Sequence, residues 1–219
     1  MFNPKKTLLK VIAGSVLISA AFGAHATVIT STVTGKIGSI NNTASGLATA
    51  LGFQPIAGQA YSLSITQDLS GPTSSATNSL LIDTVGSVDI ALTIGGNTKL
   101  FNAASTRQYN SLIDGSPDSL TTLSEIVVGN QKLSFSHSVT GNLWSTADLG
   151  QSLALSKGQF TSLYSKLSIS SLTGAYQGGF TGVGSSLVAA NAVPEPGTMA
   201  LMGLGLMGLV YSRRRAAKR

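Results

Sequence analysis

Tyr61-Ser62-Leu63-Ser64-Ile65-Thr66 places apolar residues at odd positions and hydroxyl-bearing residues at even positions. A period of two is the signature of a β-strand that buries one face and exposes the other to water. The same alternation recurs in Val88–Ile94 and in Leu133–Thr140. Between such segments stand residues that favour turns, as in Ser70-Gly71-Pro72 and Asp114-Gly115-Ser116-Pro117. These patterns predict an all-β fold.

Four further segments have weaker patterns. Val28–Ile40 and Gly174–Val188 are rich in strand-forming residues, although glycine interrupts both. Phe160–Leu167 has apolar residues at helical spacing, but the surrounding Ser, Thr and Gly favour a strand slightly over a helix. Leu100–Ile113 is expected to be mostly a connection. We therefore expect one antiparallel β-sandwich with a Greek-key or jelly-roll path, over residues 27–190.

The N-terminal segment has the three parts of a secretory signal peptide. It begins with a basic region, formed by Lys5, Lys6 and Lys10. Val11–Phe22 is an apolar stretch, and Ala24-His25-Ala26 fits the rule of small residues at the cleavage site. We expect cleavage after Ala26, so that residues 1–26 are a signal peptide and the mature chain begins at Thr27.

The C-terminal segment also has three parts. Val193-Pro194-Glu195-Pro196 precedes an apolar run, Gly197–Val210, and Arg213-Arg214-Arg215 follows it. As a helix extended to Ser212 the run reaches roughly 24 Å, against roughly 30 Å of bilayer hydrocarbon, so it is a marginal span. Because proline does not donate a backbone hydrogen bond, the helix cannot begin earlier and Glu195 stays extended and accessible. The three arginines are expected to hold this end in the cytoplasm.

In these three parts, residues 191–219 resemble the sorting signal of the PEP-CTERM family. The resemblance implies recognition by exosortase, a membrane-embedded, cysteine transpeptidase-like enzyme of Gram-negative bacteria that also make extracellular polysaccharide. It implies a transient membrane anchor, and delivery to the cell surface or to a biofilm matrix whose polysaccharide is a candidate partner. The N-terminal signal adds the Sec translocon and signal peptidase as partners. An ordinary single-span anchor after a Pro-rich linker is the alternative interpretation.

The charge of the chain is concentrated in its two ends. The whole sequence has a formal net charge of +6. Between Thr27 and Val193, however, six Lys or Arg residues stand against seven Asp or Glu residues, a net charge of −1. The exported region thus has no basic surface of the kind that binds nucleic acid, and we expect no such partner.

The residues that could carry chemistry are few. His137 is the only histidine of the exported region, and it falls on the apolar face of its predicted strand. We interpret it as a residue at the edge of the core with a hydrogen-bonded ring. A zinc site would need companions, yet the chain has no cysteine, and no Gly-x-Ser-x-Gly motif marks a nucleophile. We therefore assign no catalytic, cofactor or metal site and expect that the protein is not an enzyme.

Other candidates also have an ordinary structural explanation. Asp83, Asp89 and the Asp114–Asp118 segment could offer oxygens to Ca²⁺, but none follows a known calcium motif, and Asp114 is expected to stabilise a turn. Trp144 could stack on a sugar, although a lone tryptophan is more often packed. An exposed pair of Trp144 and Tyr109 would indicate a carbohydrate-binding module or adhesin. A cleft joining His137 to an acidic residue would indicate a secreted hydrolase.

Overall fold

The segments with alternating sequence are strands in the computed structural model, which describes residues 28–41, 46–69, 73–76, 79–143 and 153–191. These residues fall within one compact unit, Thr27–Asn191. One short helix, α1 (Gly46–Leu51), lies between the first two strands. The strands are β1 (Val28–Asn41), β2 (Ala60–Asp68), β3 (Thr73–Ala76), β4 (Ser79–Thr84), β5 (Ser87–Ile94), β6 (Asn97–Ile113), β7 (Asp118–Val128), β8 (Gln131–Gly141), β9 (Leu153–Ser156), β10 (Ser162–Ser171) and β11 (Tyr176–Asn191).

Eight of these strands form a closed antiparallel barrel. In the order β1, β2, β5, β6, β7, β8, β10 and β11, each strand pairs with the next. β11 then pairs with β1, from Ile29 opposite Asn191 to Asn41 opposite Gly179. This last pairing closes the barrel, so the first and last strands lack the free edges that would invite aggregation.

The prediction of a β-sandwich is wrong, although the all-β, antiparallel class is confirmed. A sandwich and a barrel both bury one face of every strand, so the period-two pattern is the same in each. What distinguishes them is the pairing of β1 with β11 and of β6 with β7. The β1–β11 pairing joins residues from opposite ends of the exported region.

Three short strands extend the barrel. β3 pairs with β4, and β4 continues the edge of β5 along the second half of β6. β9 pairs with the last part of β11, beyond the part that pairs with β10. The prediction that Leu100–Ile113 is mostly a connection is wrong, since these residues lie in β6. Two inward-facing positions of β6 hold the polar residues Gln108 and Asn110, so the sequence does not show the usual alternation of apolar and polar residues. The strand preferred for Phe160–Leu167 is confirmed by β10, as are those in β1 and β11.

The barrel interior is filled mainly by apolar side chains. α1 adds Leu47 and Leu51 to this core beside β11. Burying each such side chain completely stabilises the fold by about 1.5–3 kcal/mol. Two aromatic contacts lie in it, with ring centroids 5.1 Å apart for Phe101–Phe135 and 6.0 Å apart for Tyr61–Phe180. The fully buried members include Val33, Leu63, Ile65, Leu92, Leu133, Phe135, Val139, Ile169 and Leu187.

The outer surface of the barrel is lined by hydroxyl groups that pair across strands. Thr30 contacts Thr66 at 2.9 Å between side-chain oxygens, and Thr32 donates to Ser64 at 2.9 Å. Thr121 and Ser138 form a similar pair at 3.0 Å. Such cross-strand pairs contribute roughly 0.2–1 kcal/mol each. The Ser and Thr at alternate positions are therefore the water-facing half of the pattern.

The two predicted membrane-associated segments, residues 1–26 and the apolar run Gly197–Val210, lie outside the described residues. Within the described ranges, no helix has the length and hydropathy that a membrane span requires.

Candidate functional site

The two ends of the exported region emerge side by side. Ile29 of β1 pairs with Asn191 of β11. The predicted start of the mature chain, Thr27, is therefore two residues before Ile29. Residue 192 comes directly after Asn191. Both outer segments are thus attached to neighbouring strands at the same end of the barrel.

The last strand is held on both of its edges. β1 pairs with β11 as far as Asn191, while β9 pairs with the residues from Ser186 to Ala189. Pro194 is only three residues beyond Asn191.

The residues predicted for sorting and cleavage all lie outside the described part of the chain. They are Ala24, Ala26, Pro194, Glu195, Pro196, Arg213, Arg214 and Arg215. The structure thus describes β1 and β11, the strands to which the two terminal segments are attached, but not the predicted site residues themselves.

A row of polar side chains crosses the barrel interior. Asn110 on β6, Thr122 on β7, His137 on β8 and Ser165 on β10 are consecutive register partners, and all are buried. The next register partner on β11 is Gly182. This row interrupts an otherwise apolar core and divides into two halves with different hydrogen bonding.

The first half of the row is fully connected through Gln67 of β2. The Asn110 side-chain amide donates to the Gln67 oxygen at 2.6 Å, and the Thr122 hydroxyl donates to the Asn110 oxygen at 2.9 Å. The Gln67 amide in turn donates to the Ser124 hydroxyl at 2.9 Å and to the Leu123 carbonyl at 2.8 Å. Buried polar groups connected in this way fix the arrangement of strands around them.

The second half of the row is not connected. Four buried atoms form no hydrogen bond of normal geometry with any described residue, namely both ring nitrogens of His137, the Ser165 hydroxyl oxygen and the Tyr61 phenol oxygen. Burial lowers the pKa of His137 from 6.5 to about 4, so its ring is neutral at pH 7. Burial also raises the pKa of Tyr61, and the nearby Ser165 hydroxyl offsets part of that effect. The expectation of a core position for His137 is confirmed, and no described protein group supplies the hydrogen bond that was expected for its ring.

Sequence reasoning missed the inward-facing Gln67 and Asn110. The signal was present, because the odd positions that hold Tyr61, Leu63 and Ile65 continue to position 67. A polar residue in phase with a buried face indicates a hydrogen-bonded core position.

Asp83 and Asp89, two of the acidic residues considered for Ca²⁺, have protein partners. Asp83 forms a bidentate pair with Arg107, with oxygen–nitrogen distances of 2.8–3.3 Å, and this pair holds the pKa of Asp83 below its usual value. Asp89 accepts a hydrogen bond from Asn102 at 2.5 Å. In the described ranges, no three His, Cys, Asp or Glu side chains converge as a metal site would require.

The turn of residues 114–117 is stabilised by an aspartate, as expected, but by a different one. The carboxylate of Asp118, which is buried, accepts hydrogen bonds from the backbone N–H groups of Gly115 and Leu143. Asp118 therefore ties the start of β7 to the end of β8.

A shallow depression of about 260 Å³ lies on the outer surface across β2, β5 and β6. Its lining includes the small side chain of Ala91 and the exposed, apolar Leu100. Polar side chains surround it, namely Ser64, Thr66, Asp89 and Asn102. The tryptophan predicted as a sugar-stacking residue, Trp144, lies outside the described residues. Tyr109 is half-buried, with the Arg107 guanidinium 5.2 Å from its ring centroid.

Comparison with known proteins identifies the C-terminal segment alone. No curated protein and no solved structure matches the chain. Residues 192–215 match the family model described as the PEP-CTERM protein-sorting motif. The match begins at the residue that follows Asn191 and includes the prolines, the apolar run and the three arginines. The C-terminal segment of this chain is therefore a PEP-CTERM protein-sorting motif, which marks the chain as a secreted protein targeted to exosortase.

Proposed function

We propose that this chain is a non-catalytic barrel protein that exosortase delivers to the surface of a Gram-negative cell or to its extracellular polysaccharide matrix. The observation that carries the proposal is the sorting motif at residues 192–215, which follows directly on the last barrel strand. The net charge of −1 on the exported region and its hydroxyl-lined exterior suit a soluble protein in a hydrated matrix.

Sorting in this proposal proceeds through a precursor held at the membrane by both ends. The Sec translocon exports the chain, and signal peptidase cleaves after Ala26. The barrel then closes by pairing β1 with β11, and the apolar run after Pro196 holds it at the membrane until exosortase acts. Since the pairing reaches Asn191, we expect the enzyme to work on a folded barrel at short range.

The test uses the full chain with a tag after Arg219, in producing cells with and without exosortase. Fractionation and intact mass then show where the tag and the barrel reside. We expect the tag to be separated from the secreted barrel only when exosortase is present. Replacing Pro194–Pro196 with alanines should trap the full-length chain in the inner membrane. A matched variant with Lys in place of the arginines at 213–215 keeps the charge and should still be processed.

Three results would contradict the proposal. A tag that stays joined to the barrel in both strains would show that the segment is a plain membrane anchor. Equal processing of the alanine variant and of the unaltered chain would show that the Pro-Glu-Pro sequence is not read. A hydrolytic activity of the purified protein that an active-site variant abolishes would overturn the non-catalytic part of the proposal.

The outer depression supports a second candidate function, binding of carbohydrate. Paired carboxylate and amide side chains such as Asp89 and Asn102 present oriented acceptors and donors, and hydroxyl groups of sugars can bind both. The exposed Leu100 offers an apolar contact to a sugar ring. A hydrolase has less support among the described residues, because His137 is fully buried and inaccessible to a substrate.

Carbohydrate binding predicts a specific loss of affinity. Asp89→Ala should weaken binding to the polysaccharide purified from the producing cell at least tenfold, whereas Asp83→Ala, an exposed aspartate of another pair, should leave it unchanged. Titration calorimetry measures both. Equal affinity of the two variants would exclude the depression as the binding site.

A further inference from the structure

The unconnected half of the polar row is a cluster of three side chains from three strands. His137 and Ser165 are register partners on β8 and β10, and inward-facing partners have Cβ atoms about 4.5–5.5 Å apart. The Tyr61 ring from β2 covers Gly182, the partner of Ser165 on β11, since a Cβ at Gly182 would lie 2.4 Å from that ring. The phenol therefore reaches the same part of the interior as the other two groups.

These groups carry four buried polar atoms that form no hydrogen bond of normal geometry within the part of the chain that the structure describes. Leaving one such atom unpaired costs about 1–3 kcal/mol. Native proteins hydrogen-bond nearly all their buried polar groups, and ordered water supplies the missing partner in many cases. The Ser165 hydroxyl and the Tyr61 phenol are close enough to interact, since Ser165 lowers the pKa of Tyr61, but neither oxygen forms a hydrogen bond of normal geometry. Three adjacent side chains without such a bond thus indicate a shared partner.

The cluster is electrically neutral. The His137 ring is neutral at pH 7, and the Tyr61 phenol keeps its proton because burial raises its pKa. The buried carboxylate on the adjoining strand β7, Asp118, is four residues from Thr122, the register partner of His137, which is a separation of about 13 Å along the strand. A charged ligand would have no counter-ion in this low-dielectric interior, so a neutral one fits better.

The hydrogen-bonding capacity and the packing define the partner further. A neutral histidine ring has one donor and one acceptor, and each hydroxyl group can both donate and accept. The space is also restricted, because the ring of Tyr61 fills the place of a side chain at Gly182, and Leu163 fills that at Gly184. A partner must therefore be small and must both donate and accept hydrogen bonds.

We propose that the barrel interior contains a binding site for ordered water between His137, Ser165 and Tyr61. The water accepts a hydrogen bond from one of these ring nitrogens or hydroxyl groups and donates a hydrogen bond to another. It thus supplies hydrogen bonds to the second half of the polar row, as Gln67 does to the first half. The site is independent of the sorting function, since its residues lie inside the barrel.

The test is NMR on ¹⁵N-labelled protein recovered from the exterior of the producing cell. We expect long-lived cross-relaxation between water and the ring protons of His137, together with a single neutral tautomer that persists down to about pH 5. Ser165→Ala and Tyr61→Phe should each abolish or weaken the water signal. Ser168→Ala, on the same strand but facing outward, is the matched control and should retain it.

Each alternative outcome overturns the proposal. A folded protein without a water signal at His137 would show that the cluster is dry. An unchanged signal in Ser165→Ala would show that the water, if bound, does not use the cluster. An organic molecule retained in the native mass spectrum, and lost in Ser165→Ala, would show that the site binds something larger than water.

Discussion

Acidification should destabilise the barrel through His137. The pKa of this residue is about 4 in the folded protein because burial disfavours the charged ring, against 6.5 as its ordinary value. The unfolded chain therefore binds the proton more readily than the folded one. Because the folded state is favoured while the ring is neutral, this contribution to the free energy of unfolding is fully present above about pH 6.5 and is lost as the pH falls toward 4.

The size of the effect follows from the two pKa values. Their difference of about 2.5 corresponds to about 3.4 kcal/mol at a pH below both values. At pH 5, where the unfolded chain is almost fully protonated and the folded ring is not, about 2 kcal/mol is lost. With a urea dependence of about 2 kcal/mol per molar, the unfolding midpoint should fall by roughly 1 M between pH 7.5 and pH 5.

The assay is urea unfolding of the processed protein at both pH values, compared with His137→Gln. The variant lacks the titrating ring, so it should lose about 2 kcal/mol less than the unaltered protein between these pH values. Ser136→Ala, the outward-facing neighbour on β8, should keep the full dependence. Carboxylates such as Asp83 contribute equally to all three proteins and cancel in the comparison. Parallel loss of stability in the unaltered protein and in His137→Gln would refute the reasoning.

Three further changes test the barrel and its processing. Gly35→Ala should destabilise the fold by about 1–3 kcal/mol, because its Cβ would meet a backbone oxygen of β11, whereas Gly38→Ala has ordinary contacts there; equal unfolding midpoints would contradict this. Asn110→Ala should cost about 2–4 kcal/mol in urea unfolding, since it leaves two buried partners unpaired, and a loss below 1 kcal/mol would show that the row is not a connected network. Bulky residues at Ala24 and Ala26 should leave a larger precursor in the inner membrane, and N-terminal sequencing that places the mature start far from Thr27 would show that the site is wrong.

Much of the local structure was predictable because it depends on neighbouring residues. The alternation in Tyr61–Thr66 and Leu133–Thr140 indicates which face of each strand is buried, and the structure confirms it. β6 escaped prediction because it buries Gln108 and Asn110, whose side-chain amides donate to groups on other strands. Polar residues at these inward positions hide the alternation of apolar residues that marks a strand. The sorting motif was recognisable from sequence alone, since a pair of prolines, an apolar run and a basic end are all local features of the sequence.

The sequence by itself thus determined the all-β class, the buried face of most strands, the core position of His137 and the C-terminal sorting motif. Only the tertiary structure decided that the strands close into a barrel, that Ile29 lies opposite Asn191, and that the polar row crosses the interior. The physical reason is that period two records burial of one face but not the partner of each edge. Pairing of β1 with β11 joins residues more than 130 positions apart, and such a contact becomes favourable only once the intervening strands have placed the two edges together.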